Sequence, residues 1–322
     1  MGNDATQLQK TYIHVPSVKS LTRWEKVTRA LAGSVLSPLY WFLAHRYAVP
    51  GLRFHFDCAR LGLRLLCSRK AHVSYGEIYS LFFWPMDSTR YFEFAYMWDA
   101  LSKLSIPRYF DVSSPRLFPI MVLLKKCELF AELLNPDAKD LTLTAHLVQA
   151  LNLEKRCNLR ECLISAAPFE PGSFDVITSI SVVEHIPQDT EAVQKMWDLL
   201  KLGGRLLLTL PCAAQASEQY IDRDEYGLLI PDENGYFFFQ RLYDQELLED
   251  RIFSITGQPR RCVIYGEKSP GTLRRNLDRK RGDPHYPYWR EPYMMGQDFS
   301  YFKELGELPG EGVIALEFEK SE

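Results

Sequence analysis

The chain lacks several signatures that would settle its class at once. Its longest uncharged stretch, Ala30–Ala44, runs for 15 residues and contains Pro38, short of the ~20 residues needed to cross a bilayer. The first 20 residues are polar, with no apolar signal-type segment, so export is not expected. Seven cysteines, an odd number, include no Cys-x-x-Cys pair; a zinc ribbon and a disulfide scaffold are disfavoured, and the reducing cytoplasm is the expected compartment. The histidines show no ligand spacing, so no metal is expected. No Gly-x-Gly-x-x-Gly follows a strand-like run and no Tyr-x-x-x-Lys pair occurs, which argues against a nicotinamide oxidoreductase.

What is present is an ordinary globular composition, 46% hydrophobic and 25% charged over 322 residues, enough for one large domain or two smaller ones. The charge is uneven. Residues 1–80 carry 11 Lys+Arg against 4 Asp+Glu, while residues 81–322 are net acidic by 10. A basic first quarter can face nucleic acid, an anionic membrane or the acidic remainder of its own chain. Within it, residues 23–46 set Leu36, Leu39, Tyr40, Trp41, Phe42 and Leu43 between Arg23, Lys26, Arg29 and Arg46. That segment is expected either to lie in a membrane interface or to pack as a buried helix. Nucleic acid is the weaker expectation, because no recognition module interleaves the basic clusters. Oligomeric state is left open.

Three regions are expected. Residues 1–20 read as a flexible arm, and 21–104 as a cap of helices broken at Pro38, Pro50 and Pro85. From 105 to 322, short apolar runs alternate with amphipathic segments, the pattern of an α/β doubly wound parallel sheet. Strands are expected at 108–112, 128–134, 158–164, 174–181 and 205–211, with helices at 117–126, 136–150 and 189–201, the last ended by Gly203-Gly204. Arg261–Tyr265 and Gly312–Lys320 suit a closing antiparallel pair. The segment 270–307, rich in Pro, Tyr, Trp and Arg, is expected to be a lid or a disordered excursion.

In such a sheet, ligands sit at the carboxyl ends of the strands, which singles out Asp111–Pro115, Leu134–Asp137, Ile164–Phe169, Ser179–His185 and Leu210–Cys212. Ser179 and Ser181 alternate with apolar neighbours and share one side of their strand, facing a ligand or bonding local backbone. His185 is a candidate proton acceptor, since an imidazole pKa near ~6.5 suits neutral pH. Asn135 is a candidate N-cap.

The segment APFEPGSFDVITSISVVEHIP (167–187), a helix, and LLKLGGRLLLTLP (199–211) together resemble the class I S-adenosylmethionine-dependent methyltransferases, over roughly residues 107–212 plus the closing strands. The resemblance implies a Rossmann-like domain, S-adenosylmethionine as cofactor, and methylation of oxygen or nitrogen on a small-molecule or lipid-linked acceptor. It implies Glu184 and His185 beside the acceptor, Ser165 and Phe169 near the adenine, and Ser179 and Ser181 near the methionine part. Two departures stand out. Where the family has an acid followed by a glycine-rich loop, this chain has Asp111 followed by Ser113, Ser114, Pro115 and Arg116, and Arg116 would pair with the cofactor carboxylate. Where the family has a ribose-binding carboxylate, Leu133-Leu134 stand, leaving Asn135 and Asp137 as candidates. The alternative expectation is a non-catalytic binding or scaffold protein on this fold.

Overall fold

The computed structural model describes residues 8–15, 21–68, 73–225 and 227–321. Of the expected arm, residues 1–7 and 16–20 lie outside the described residues. Residues 9–13 are not an arm: β1 (Gln9–Ile13) is a strand.

A helical cap follows, made of α1 (Arg23–Arg46), α2 (Leu52–Ser68), α3 (Tyr75–Phe83) and α4 (Arg90–Ser102). The breaks at Pro50 and Pro85 fall between helices, whereas Pro38 lies inside an unbroken α1. Proline removes one backbone donor, but Pro38 is on the solvent side, where water can answer the freed carbonyl. A reciprocal Thr22–Glu25 capping box starts α1. Its buried face is made of small residues, Gly33, Ser37 and Ala44. A Cβ at Gly33 would stand 2.1 Å from the Tyr79 hydroxyl, so glycine is what lets α3 approach.

The main domain alternates β2 (Arg108–Val112), α5 (Leu117–Lys125), β3 (Phe130–Leu134), α6 (Ala138–Leu151), β4 (Cys157–Arg160), β5 (Phe174–Ile180), α7 (Asp189–Leu199) and β6 (Leu200–Cys212). It continues through β7 (Ser217–Ile221), β8 (Phe237–Leu242), α8 (Gln245–Leu248), a π turn at Glu249–Phe253, α9 (Ser254–Thr256) and β9 (Arg261–Glu267). The last elements are α10 (Thr272–Gly282), α11 (Glu291–Asp298), β10 (Phe299–Phe302) and β11 (Gly312–Glu319). Eight strands form one sheet in the order β10-β9-β11-β6-β5-β2-β3-β4. Strands β2 to β6 are mutually parallel, and β11 is antiparallel to both β6 and β9. One apolar cluster joins the cap to α5, α6 and one sheet face; a second joins α7, α8 and the other face. Both faces are covered, which is why β6 reads as a nearly continuous apolar run.

Several local expectations change. Asp137, not Asn135, caps α6, its carboxylate accepting from Lys139 N (2.8 Å) and Asp140 N (3.2 Å). Gly203-Gly204 lies within β6 rather than after a longer α7; a Cβ at Gly204 would stand 2.8 Å from the Lys201 carbonyl. After β6, β7 pairs with β1 in parallel and with β8 antiparallel, making a second, three-stranded sheet. The segment 270–307 is not a disordered excursion. It folds into α10, α11 and β10, and Arg29 of α1 stacks on Tyr288 (4.1 Å) and donates to the Pro284 carbonyl (2.7 Å).

The small sheet is tied to the large one through buried Asp189, at the start of α7. Its carboxylate accepts from Arg241 Nη1 and the Tyr243 hydroxyl, both at 2.6 Å, and from Arg251. Removing one partner strands buried charge, so Asp189→Ala is expected to lower unfolding free energy by about 3–5 kcal/mol. Urea denaturation followed by circular dichroism measures it; a loss below ~1 kcal/mol would contradict this role.

Candidate functional site

The parallel strands end on one rim. At the tip of β2, Asp111 is buried and fully engaged. Oδ1 accepts from Ser114 N (3.1 Å), and Oδ2 accepts from the Thr178 (2.6 Å) and Tyr109 (3.1 Å) hydroxyls. Burial pushes its pKa up to about 6, against the lowering effect of those bonds. Asp111 therefore holds the loop's shape from beneath. Ser113 adopts φ +55°, the left-handed region in which glycine is the usual residue. Its N–H and hydroxyl both donate to the Leu134 carbonyl, at 2.8 and 3.2 Å. Ser114 is buried and its hydroxyl accepts from Ile180 N (3.1 Å).

The tips of β2 and β3 are bridged by side chains. Arg116 Nη1 donates to Asp140 Oδ1 (2.6 Å) and Asn135 Nδ2 donates to Asp140 Oδ2 (3.1 Å). Asn135 Oδ1 accepts from Asp137 N (2.9 Å), fixing the amide's orientation. Asp140 was not singled out from the sequence. Its signal lay one helical turn past the strand tip, in the first turn of α6, where an acid is also favoured by the helix dipole. Asp137 faces its own helix start and not this bridge.

At the tip of β4, Ser165 is exposed in a short turn, Ile164–Ala166. Phe169 is half-buried and packs edge-on against Phe110 and Phe174, with Arg160 4.8 Å from its ring centroid. At the tip of β5, Ser179 is buried and donates to the Val112 carbonyl (3.2 Å). As placed, the hydroxyls of Ser114 and Ser179 cross-link β2 and β5 and are not presented at the rim. Ser181 is different. It adopts φ +46°, its N–H donates to the Thr209 hydroxyl (3.0 Å), and its own hydroxyl donates to Glu93.

Glu93 is the second residue that sequence reasoning passed over. It projects from α4 and is fully buried. It also accepts from Thr209 Oγ1 (2.7 Å) and twice from Arg90 Nη1 (3.0 and 3.1 Å). A lone acid inside the apolar run Tyr91–Met97 was its signal: in an otherwise buried helix, a carboxylate needs partners elsewhere in the fold.

Glu184 and His185 lie in the turn after β5. Glu184 is buried, and its Oε2 has no hydrogen-bond partner among the described residues. Burial raises its pKa to about 8, with Glu93 adding to the rise and Arg90 opposing it. At neutral pH it is therefore mainly a neutral acid. His185 Nδ1 contacts the Phe239 carbonyl of β8. A carbonyl only accepts, so Nδ1 carries the proton and Nε2 is the basic nitrogen of the neutral ring. Nε2 lies 3.8 Å from Glu184 Oε1. Burial lowers the His185 pKa to about 4, so the ring is uncharged through the neutral range. Among the described residues no cluster of three or more His, Cys, Asp or Glu side chains could hold a metal, and no helix is long and apolar enough to cross a membrane.

The strand order and this rim define a class I methyltransferase fold. Residues 124–208, from the end of α5 through most of β6, match the family model described as a methyltransferase domain. Over those residues the chain is similar to a methyltransferase domain. No curated protein matches. Among solved structures, it is similar to the geranyl diphosphate C-methyltransferase of Streptomyces coelicolor A3(2), at 14% identity and TM-score 0.47, covering 82% of this chain and 98% of that one. It is also similar to the YcgJ protein of Bacillus subtilis, at 13% identity and TM-score 0.47, covering 72% and 99%.

Glu184 supplies a pH signature. Its folded pKa of about 8 exceeds the ordinary 4.5, so its contribution to stability is fully present below pH 4.5 and is lost as pH rises through about 8. Glu184→Gln mimics the protonated form. The wild type is expected to lose stability relative to this variant as pH rises across that window, read by urea unfolding. A pH-independent difference would show that the carboxyl is ionised in the fold.

Proposed function

We propose that the chain transfers the methyl group of S-adenosylmethionine to an oxygen or nitrogen of a small-molecule or lipid-linked acceptor held beside the tip of β5. The observation that carries this reading is the left-handed conformation of Ser113: at the tip of β2, where the family has its glycine-rich loop, the backbone takes a conformation that glycine favours. The residues at the rim also fit the cofactor's groups. Arg116 suits its carboxylate. Asp140 suits the ribose hydroxyls, in place of the acid missing after β3, with Asn135 orienting it. The Ser165 turn and the half-buried Phe169 suit the adenine. In this reading Arg116 and Asp140, paired with each other in the structure, exchange that contact for the two ends of one ligand.

Held by Arg116 and Asp140, the cofactor would supply a methyl group activated by its sulfonium, with the sulfur taking the bonding pair on transfer. What is left to the protein is alignment and removal of the acceptor proton. His185 is the group placed for the proton removal, with Nδ1–H anchored on Phe239 and Nε2 unprotonated at neutral pH, but burial lowers its pKa to about 4 and makes it a weaker base than the ordinary imidazole expected from the sequence. Neutral Glu184 beside it avoids drawing the ring into a fixed ion pair. Arg90, Glu93 and Ser181 position the tip of β5 against the cap, so that the acceptor lies between α4, β8 and the strand ends.

One observation favours the second reading, a non-catalytic binding protein. The Arg116–Asp140–Asn135 bridge already satisfies its own charges, and nothing in it demands a ligand. Titration calorimetry separates the two readings. S-adenosylmethionine and S-adenosylhomocysteine are expected to bind the wild type, and Arg116→Ala and Asp140→Ala each to weaken binding by about tenfold or more, the loss of one charged hydrogen bond. No binding of either compound at millimolar concentration would remove the enzymatic reading.

A further inference from the structure

Helix α1 is inside out. Its buried face carries Gly33, Ser37 and Ala44, while six of its large apolar side chains point to solvent. Trp24 is 78% exposed, Leu31 63%, Val35 75% and Phe42 63%, with Val27 and Leu39 also exposed. Their spacing of three and four residues gathers them into a stripe about 120° wide along a helix of 24 residues, roughly 36 Å long. Trp41, by contrast, packs inward against the cap core and lies edge-on to His45 at 4.2 Å. Monomeric soluble proteins rarely leave so continuous an apolar strip uncovered.

Charge indicates what covers it. No Asp or Glu occurs between Glu25 and Asp57, and Glu25 is spent on the Thr22 cap. Arg23 and Arg46 bracket the stripe and are exposed. Helix α2 adds Arg53, Phe56, Arg60, Leu63 and Arg64, all exposed on one helical face, on which the half-exposed Asp57 is outnumbered by three arginines. A second copy of the chain packed stripe to stripe would bring Arg46 against Arg23 or against Arg46, depending on direction, and so meets like charge either way. An apolar sheet with anionic headgroups answers both features at once.

We propose that the outer faces of α1 and α2 form a docking surface for an anionic membrane, with the α1 stripe entering the interfacial layer and Arg23, Arg46, Arg53, Arg60 and Arg64 meeting the headgroups. The surface lies outside the strand-end site and does not depend on the methyltransferase reading. It places the chain on the leaflet rather than through it.

The test is co-sedimentation of the full chain with vesicles of phosphatidylcholine, alone or with about 30 mol% phosphatidylglycerol, alongside light scattering of the free protein. The wild type is expected to bind the mixed vesicles at least tenfold more tightly than the neutral ones, and less tightly as salt is raised. The variant Leu31→Ser/Val35→Ser/Phe42→Ser is expected to lose binding by more than tenfold. Arg53→Ala/Arg60→Ala, which leaves the stripe intact, is expected to lose roughly fivefold per charge on mixed vesicles only. All three positions of the triple variant are exposed, so its melting temperature should match the wild type. Wild-type protein remaining in the supernatant with mixed vesicles would overturn the proposal, as would a folded triple variant that binds like wild type. So would a wild-type dimer that the triple variant converts to monomer, which would assign the stripe to self-association.

Discussion

A carboxylate taken out of water must have its oxygens answered by donors, and the position of Glu93 turns that requirement into architecture. The residue sits on a cap helix, yet every donor that reaches it apart from Arg90 belongs to the sheet: Ser181 after β5 and Thr209 in β6. Leaving it unpaired would cost several kcal/mol. The cap therefore cannot shift along the rim without breaking this set. Arg90 adds a contact to the Ile180 carbonyl at 3.5 Å, so the same short stretch of α4 grips both the carboxylate and the strand end it covers.

The opposite side of the site is fixed by the small sheet. Phe239 of β8 meets His185, and Arg241 of the same strand meets Asp189 at the start of α7. The turn after β5 is thus held from above by β8 and from the side by α4. Its two titratable groups are driven in opposite directions by one cause, burial, which disfavours charge on the acid and on the base alike. An uncharged pair lies where the acceptor is proposed to sit, and a proton can leave the acceptor without first breaking an ion pair.

Much of the large sheet was legible in the chain. The run 108–112 coincides with β2, and the expected strands at 174–181 and 205–211 overlap β5 and β6, because strands covered on both faces leave uninterrupted apolar runs. The misreadings share a different origin. Pro38 suggested a break because local propensity penalises it, but packing of the inner face of α1 outweighed that cost. Strands β1 and β7 pair across more than two hundred residues, and short polar strands such as Gln9–Ile13 have no apolar alternation that would betray a partner so far away. The segment 270–307 looked loop-like by composition, yet its aromatic and basic residues are contacts for α1.

Within the candidate site, the residue types were readable and their directions were not. The chain by itself determined the strand tips, which follow from periodicity, and its resemblance to a known family pointed to the serines standing where glycine was expected and to the acid-histidine pair after β5. Only the tertiary structure decided that Ser114 and Ser179 turn inward, that Asp140 reaches back from a helix to Arg116 and Asn135 at the strand tips, and that Glu93 crosses from the cap. The reason is that a polar side chain takes whichever partners the packed neighbours leave within reach, and those neighbours come from distant parts of the chain.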